Sequence, residues 1–436
     1  MIWEAGIALV ILGYMVRYWR EGITHPIPLL WAYWLVMLPM KYFGFRYLGV
    51  PFTGAVPLHV VDEGSMYLFF FMAGTVLAHA FFSRVRLNFP LVEAVPRVGL
   101  ALPSLGLVAA TLGLAVAQGG AGILRNSLKL RALAETGPGA YISIFLTFTM
   151  IAATVSLASR RQKLPLIIFA VLLTAYFLVM ARAGLIVFLA TTYLSYLCMV
   201  ERVVPIRSLT LGVSVLAPVA LAQGILRQAG GYTEKAFHTI WRLTHSDTAI
   251  HFAASAFGSR VNQLEAFSVF LDDLEKGIIK HDPLSPLYLF SQVVPRSVWP
   301  DKPEMFADQM TGVIAPRSHA IHVVYNFLGP AELMFAFGII AGLILTCIIY
   351  GYFFAVIDRY YVFCRGRPGA YLFLALTVLA FLGAGSESGF FNSIALLQLL
   401  VFSVAMAALF KLKLHAPPSA EKVPPPTPLA NPSPAE

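Results

Sequence analysis

The sequence predicts an all-α, polytopic membrane protein of about eleven transmembrane helices with one long outward loop, and three observations predict it. Of its 436 residues 58% are hydrophobic and only 12% charged, and the mean hydropathy is +0.75, outside the range of soluble domains. The apolar residues fall in blocks of about 17–25, the length that carries a helix across a hydrocarbon core of roughly 30 Å. The blocks do not alternate in polarity over short runs, which excludes a transmembrane β-barrel.

The first block, 2–19, has no basic stretch before it and no small-residue cleavage site after it, so it reads as a true first span. Further spans are expected at 27–45, 65–82, 98–118, 140–159, 164–181, 183–200 and 208–225, which completes a membrane domain over 1–225. Residues 226–322 are polar, with short apolar stretches and no cysteine to staple a fold, so this segment is expected to be built on the membrane part. A second membrane domain, 323–413, holds spans at 323–357, 370–386 and 390–410. The first of these is over-long, and Gly329-Pro330 places an entry turn at its start. The tail, 414–436, is proline-rich and is expected to be disordered.

Orientation follows from the Lys and Arg residues, which short translocated loops exclude. With the C-terminus inside, sixteen fall on the inner side: Arg17, Arg20, Arg84, Arg86, Arg97, Arg160, Arg161, Lys163, Arg202, Arg207, Arg359, Arg365, Arg367, Lys411, Lys413 and Lys422. The opposite short loops hold six, so the N-terminus and the 226–322 segment face outward, away from the cytoplasm. The net charge of +9 forms no basic stripe with interleaved aromatics, and nucleic acid is not an expected partner. The isolated Cys198, Cys347 and Cys364 have no metal-ligand spacing and read as packing residues.

Chemistry is expected at the outer ends. Arg182 stands alone in the outward hairpin Met180-Ala181-Arg182-Ala183-Gly184, unlike the paired or tripled basic residues of the inner turns. In the long loop, Arg227, Arg260, Arg296, Lys302 and Arg317 are candidate anion binders. Three prolines in Val294-Pro295-Arg296-Ser297-Val298-Trp299-Pro300-Asp301-Lys302-Pro303 hold Arg296 and Lys302 where they can grip an anion, with Trp299 placed to pack on a sugar ring or the bilayer interface. His319, three residues before His322, and Glu332, at the mouth of the next span, are candidate general bases, since neither is cheap to keep beside lipid. His319 and His322 lack a third ligand at useful spacing, so no metal and no cofactor are expected. Glu387, in the small-residue hairpin Gly383-Ala384-Gly385-Ser386-Glu387-Ser388-Gly389, and the Asp62-Glu63 pair before the third span are acidic positions that are either substrate-facing or structural.

These pieces resemble the oligosaccharide repeat unit polymerases, the Wzy-like O-antigen and exopolysaccharide polymerases of bacteria. The matching features are Arg182 with Gly184 before an apolar span, the Pro-Arg-x-x-Trp-Pro-x-Lys-Pro run at 295–303, and Glu332 leading into Phe337-Gly338. The resemblance covers most of 1–413. It implies a C-type glycosyltransferase-like enzyme that joins undecaprenyl-pyrophosphate-linked oligosaccharides on the outer face of the inner membrane, working beside membrane lipids and a chain-length regulator. Arg182, Arg227, Arg260 and Arg296 would then hold the pyrophosphate, with Lys302 and Arg317 as weaker members, and His319 or Glu332 would be the base. The related O-antigen ligases place a histidine late in their long loop, but here His322 is followed by Val323 where they usually carry Asn. Competing readings are a ligase-like glycan transferase, a lipid-linked oligosaccharide transporter, and an exosortase-like protease, which would need an outward cysteine that this topology does not supply.

Overall fold

A computed structural model describes residues 2–18, 27, 56–85, 91–96, 101–119, 146, 149–150, 153–154, 156–157, 162–180, 263–288, 299, 301, 303–304, 306–320, 327–364, 367 and 410–415. These residues are mostly helical. In chain order they form α1 (Ile2–Arg17), α2 (Leu58–Arg84), β1 (Leu91–Pro96), α3 (Ala101–Gly119), α4 (Lys163–Met180), α5 (Gln263–Glu275), a 3-10 turn at Ser285–Leu287, α6 (Phe306–Ile314), α7 (Pro316–Ala320), α8 (Ala331–Phe337), α9 (Ile339–Cys364) and β2 (Phe410–His415).

Two helices, α2 over 27 residues and α9 over Ile339–Phe363, are long and apolar enough to cross a membrane. Only 33% and 39% of their most apolar windows are buried, so most of that surface points outward, unlike the core helix of a soluble domain. On α9, Ile340, Ile344 and Ile348 recur every fourth residue as an exposed stripe, and α1 and α2 expose Leu9, Leu12, Val16, Phe70, Leu77 and Phe81 in the same way. Apolar faces of this extent fit a lipid surround. The expected spans at 2–19, 98–118 and 164–181 coincide with α1, α3 and α4 to within three residues at each end. The other spans, at 27–45, 140–159, 183–200, 208–225, 370–386 and 390–410, fall largely or wholly outside the described residues.

α1, α2 and α9 run parallel. Trp3 stacks near Phe69 and Phe70, with Tyr14 against His79 further along. Phe71 meets Tyr350 and Phe82 meets Tyr352, and Arg359 donates to the Val85 carbonyl. Because all three helices point the same way, the intervening chain must return to the starting end twice, once between 18 and 58 and once between 84 and 339. α2 and α9 approach closely where glycines face the neighbour: a Cβ on Gly351 would meet Ala78 and come within 2.6 Å of the His79 backbone nitrogen, and one on Gly74 would lie 2.6 Å from Cys347 Sγ. Backbone cannot yield as a flexible side-chain tip can. Gly351→Val is therefore expected to force the helices apart and cost about 1–3 kcal/mol, read as a lower unfolding midpoint in detergent. Gly13→Ala, which meets nothing within 4 Å, should leave that midpoint unchanged or slightly higher.

The expected over-long ninth span is two helices, and its end lies later than 357. Phe327–Pro330 form the expected entry turn, but a second break follows α8 at Gly338. Gly338 has φ +88, a conformation that favours glycine, and its N–H returns to the Met334 carbonyl at 2.9 Å. The third span also begins earlier than 65, because Pro57 at the N-cap sets the helix start and Leu58 follows it.

At the C-terminal end of the bundle, β1 and β2 pair antiparallel, from Leu91 opposite His415 to Pro96 opposite Phe410. This sheet departs from an all-α architecture, and β2 carries order through Leu414 and His415, the first residues assigned to the tail. Leu-Val-Glu-Ala-Val-Pro and the alternating Phe-Lys-Leu-Lys-Leu-His are short stretches, too brief to register as apolar blocks, and their partners lie more than three hundred residues apart. Tyr360 ties the sheet to α9: its hydroxyl accepts from the Val92 N–H and donates to the Val92 carbonyl at 2.7 Å.

At the other end, α5 packs on the bundle. The apolar face of α5 carries Leu264, Phe267, Phe270, Leu271 and Leu274, all 5% exposed or less. A Cβ on Gly64 of α2 would come within 2.8 Å of the Ser268 Cβ, so α5 lies almost against the α2 backbone. Phe306 is stacked edge-on or tilted against Phe270, Phe327 and Phe335 at 5.3–5.5 Å, which joins α5, α6, the entry turn and α8.

Candidate functional site

Besides the Asp62-Glu63 pair, Glu332, His319, Arg317 and Trp299 lie in described positions. Glu332 is the second residue of α8 and 2% exposed. Every residue of α8 from Ala331 to Ala336 is buried. The short helix is held in place from outside by His281, whose Nδ1 lies 3.1 Å from the Phe335 carbonyl, and by the Asp282 N–H on the same oxygen at 3.3 Å. A carboxylate kept in so closed a setting costs desolvation unless it is paired or protonated, and such carboxylates concentrate at working sites.

His319 stands on α7, whose start is set by Pro316, and packs 3.7 Å from where a Cβ on Gly312 would lie. Its Nε2 is 3.9 Å from Glu304 Oε2, an imidazole and a carboxylate placed to steady each other at the surface. Arg317 is in α7, and Trp299 is 44% exposed. Arg182, Arg227, Arg260, Arg296, Lys302, His322 and Glu387 lie outside the described residues.

The Asp62-Glu63 pair sits in the first turns of α2, and Glu63 faces α5. Glu63 neighbours Glu275 and Asp272, and Tyr67 donates to Glu275 Oε1 at 3.0 Å. Lys276 answers Asp272 at 2.6 Å, and this hydrogen bond holds its ammonium above the usual lysine value. Burial, followed by the Asp272 charge, pushes the Asp273 carboxyl up. The sign of its effect follows. An acid whose pKa is raised by folding binds more protons folded than unfolded, so stability falls as pH rises through the window between its unfolded and folded values. Asp273→Asn removes that loss, so the variant is expected to melt above the parent at pH 7, with the gap closing as pH drops below the ordinary aspartate range. Melting curves at several pH values check it.

A second cluster was missed by sequence reading. His79 of α2 is 0% exposed, with Nε2 lying 2.9 Å from Asp358 Oδ2 of α9, off the axis of a good hydrogen bond. The Tyr18 hydroxyl at the foot of α1 donates to both Asp358 oxygens at 2.9 and 3.1 Å. Three parallel helices thus meet on one carboxylate. The signal was present: the apolar block 65–82 has no Asp, Glu, Lys or Arg and His79 is its one histidine, and Asp358 was lost because the ninth block was ended one residue short of it.

Among the described residues, no group of three or more His, Cys, Asp or Glu side chains has an arrangement that could hold a metal ion. The chain matches no family model, no curated protein and no solved structure.

Proposed function

We propose that this protein polymerises undecaprenyl-pyrophosphate-linked oligosaccharide repeat units into O-antigen or exopolysaccharide at the outer face of the bacterial inner membrane. The observation that carries the reading is Glu332: a buried carboxylate on a short helix at the mouth of an apolar helix, enclosed by α5, α6 and the entry turn. In the proposed step an acceptor sugar hydroxyl forms a bond to the donor's anomeric carbon. The bond from that carbon to the pyrophosphate breaks, the hydroxyl proton passes to Glu332 or His319, and undecaprenyl pyrophosphate departs with the electron pair. Arg182, Arg227, Arg260 and Arg296, with Lys302 and Arg317, would hold the departing diphosphate, since guanidinium matches phosphate oxygens bidentately and stays charged. Trp299 and Glu387 would line the sugar path.

The orientation is supported by the parallel bundle. α1, α2 and α9 are odd-numbered spans in the expected topology and should run the same way, as they do. Arg17, Arg84, Arg359, Arg367, Lys411 and Lys413 all gather at the end opposite the loop helices, where the positive-inside bias puts the cytoplasm. The test is reconstitution of purified protein with an undecaprenyl-pyrophosphate oligosaccharide, the products separated on a gel. A ladder is expected. A single acceptor-linked band would replace polymerisation by ligation, and untouched substrate would remove glycosyl transfer.

One observation favours transport of the same lipid-linked sugar as a second reading. The His79–Asp358 pair is an ionisable pair inside apolar helices, a feature common in transporters. Movement of labelled substrate between the leaflets of protein-containing vesicles, without any ladder, would select it.

A further inference from the structure

The two-stranded sheet at the C-terminal end of the bundle has a row of cations on one face. Leu91, Glu93 and Val95 alternate along β1 opposite His415, Lys413 and Lys411, so these six positions share a face. Lys411 and Lys413 are exposed, and among the described residues neither has an ion pair. Glu93, the carboxylate on this face, is engaged by His415, whose Nε2 lies 3.1 Å from its Oε2. The row continues onto α9: the Phe363 ring is 5.2 Å from His415, and the Arg367 guanidinium lies 4.3 Å over the same ring. The opposite face bears Leu414, which is 71% exposed beside half-buried Val92.

An isolated pair of short strands is marginal in water, yet this one is fixed to the end of α9 by Tyr360 on Val92 and Phe363 against His415, and Arg359 ties that same end of α9 to the end of α2 at the Val85 carbonyl. It therefore lies at the level where those apolar helices stop. An element with a cationic face, an exposed leucine on the other, and a position at the ends of apolar helices is suited to the boundary between acyl chains and headgroups.

We infer that the β1–β2 sheet is a docking platform for anionic phospholipid, with Lys411, Lys413 and Arg367 on the headgroup phosphates and Leu414 toward the acyl chains. The inference rests on reading α2 and α9 as membrane spans, and it does not depend on the enzymatic reading. Phospholipid is favoured over a soluble acidic partner because the cations continue directly from the apolar helices and the leucine is exposed alongside them.

The test is native mass spectrometry of the detergent-solubilised full chain, with phosphatidylglycerol and phosphatidylcholine of identical acyl chains added in competition. The parent protein is expected to retain phosphatidylglycerol preferentially. Each basic side chain near an anionic surface is worth about 5-fold, so Lys411→Gln with Lys413→Gln should reduce that preference by about 30-fold. Lys280→Gln, an exposed lysine at the far end, should leave it unchanged. Equal retention of the two lipids by the parent, or an unchanged preference in the double variant, would overturn the platform. So would displacement of phosphatidylglycerol by glycerol phosphate at comparable concentration, because then the acyl contact contributes nothing. Recovery of the chain in the aqueous fraction without detergent would instead remove the membrane reading beneath it.

Discussion

Arg182→Ala and Arg296→Ala are each expected to abolish the product ladder while leaving the protein's yield and helical content intact. A diphosphate leaving group accumulates negative charge as its bond to the sugar breaks, and fixed cations act there at the moment of reaction. Removing one such donor typically costs about 10²–10³ in rate, enough to erase a multi-step ladder whose every rung needs another turnover. Lysine at either position should rescue only in part, because an ammonium is a point charge and cannot bind two phosphate oxygens in one plane. Glu332→Gln separates base from clamp: it keeps the shape of a buried side chain and removes its ability to accept a proton, so substrate should still bind while chain extension stops. Full activity in both arginine variants would eliminate the clamp, and full activity in Glu332→Gln would move the base to His319.

The second large effect concerns folding. Asp358→Ala leaves the fully buried His79 and the Tyr18 hydroxyl without the carboxylate they share, and because Asp358 is 24% exposed, water replaces it only in part. Leaving a buried polar group without its partner costs about 1–3 kcal/mol. The expected result is a lowered unfolding midpoint in detergent and a smaller yield of folded protein. His79→Leu combined with Asp358→Leu should recover much of that loss, because an apolar pair of similar volume has no desolvation to offset. A double variant as unstable as the single one would show that the cluster holds the helices by shape rather than by charge.

What could be read from the sequence follows physical range. α1, α3 and α4 were legible because an apolar helix writes itself into one contiguous block. The entry turn was legible because Gly329-Pro330 is a local breaker. The second break at Gly338 was not, since a single glycine between Phe337 and Ile339 leaves the apolar block unbroken and only the backbone reveals φ +88. The β1–β2 sheet and the Tyr18–His79–Asp358 junction are pairings across hundreds of residues, for which no short window holds both halves. Of the candidate site, Glu332 and His319 were selected from their positions beside a span. Glu304 as a neighbour of His319, and the closure of α8 by His281, depend on how the loop returns over itself.

The shared direction of α1, α2 and α9 sets a timetable for biogenesis. α1 and α2 emerge early from the ribosome, but the carboxylate that receives His79 is made 279 residues later. At roughly 5–20 residues per second, the first two helices wait tens of seconds in the bilayer with a polar side chain exposed toward an absent neighbour. A nascent chain stalled before Asp358 carries an open seam, closed only when the carboxylate arrives.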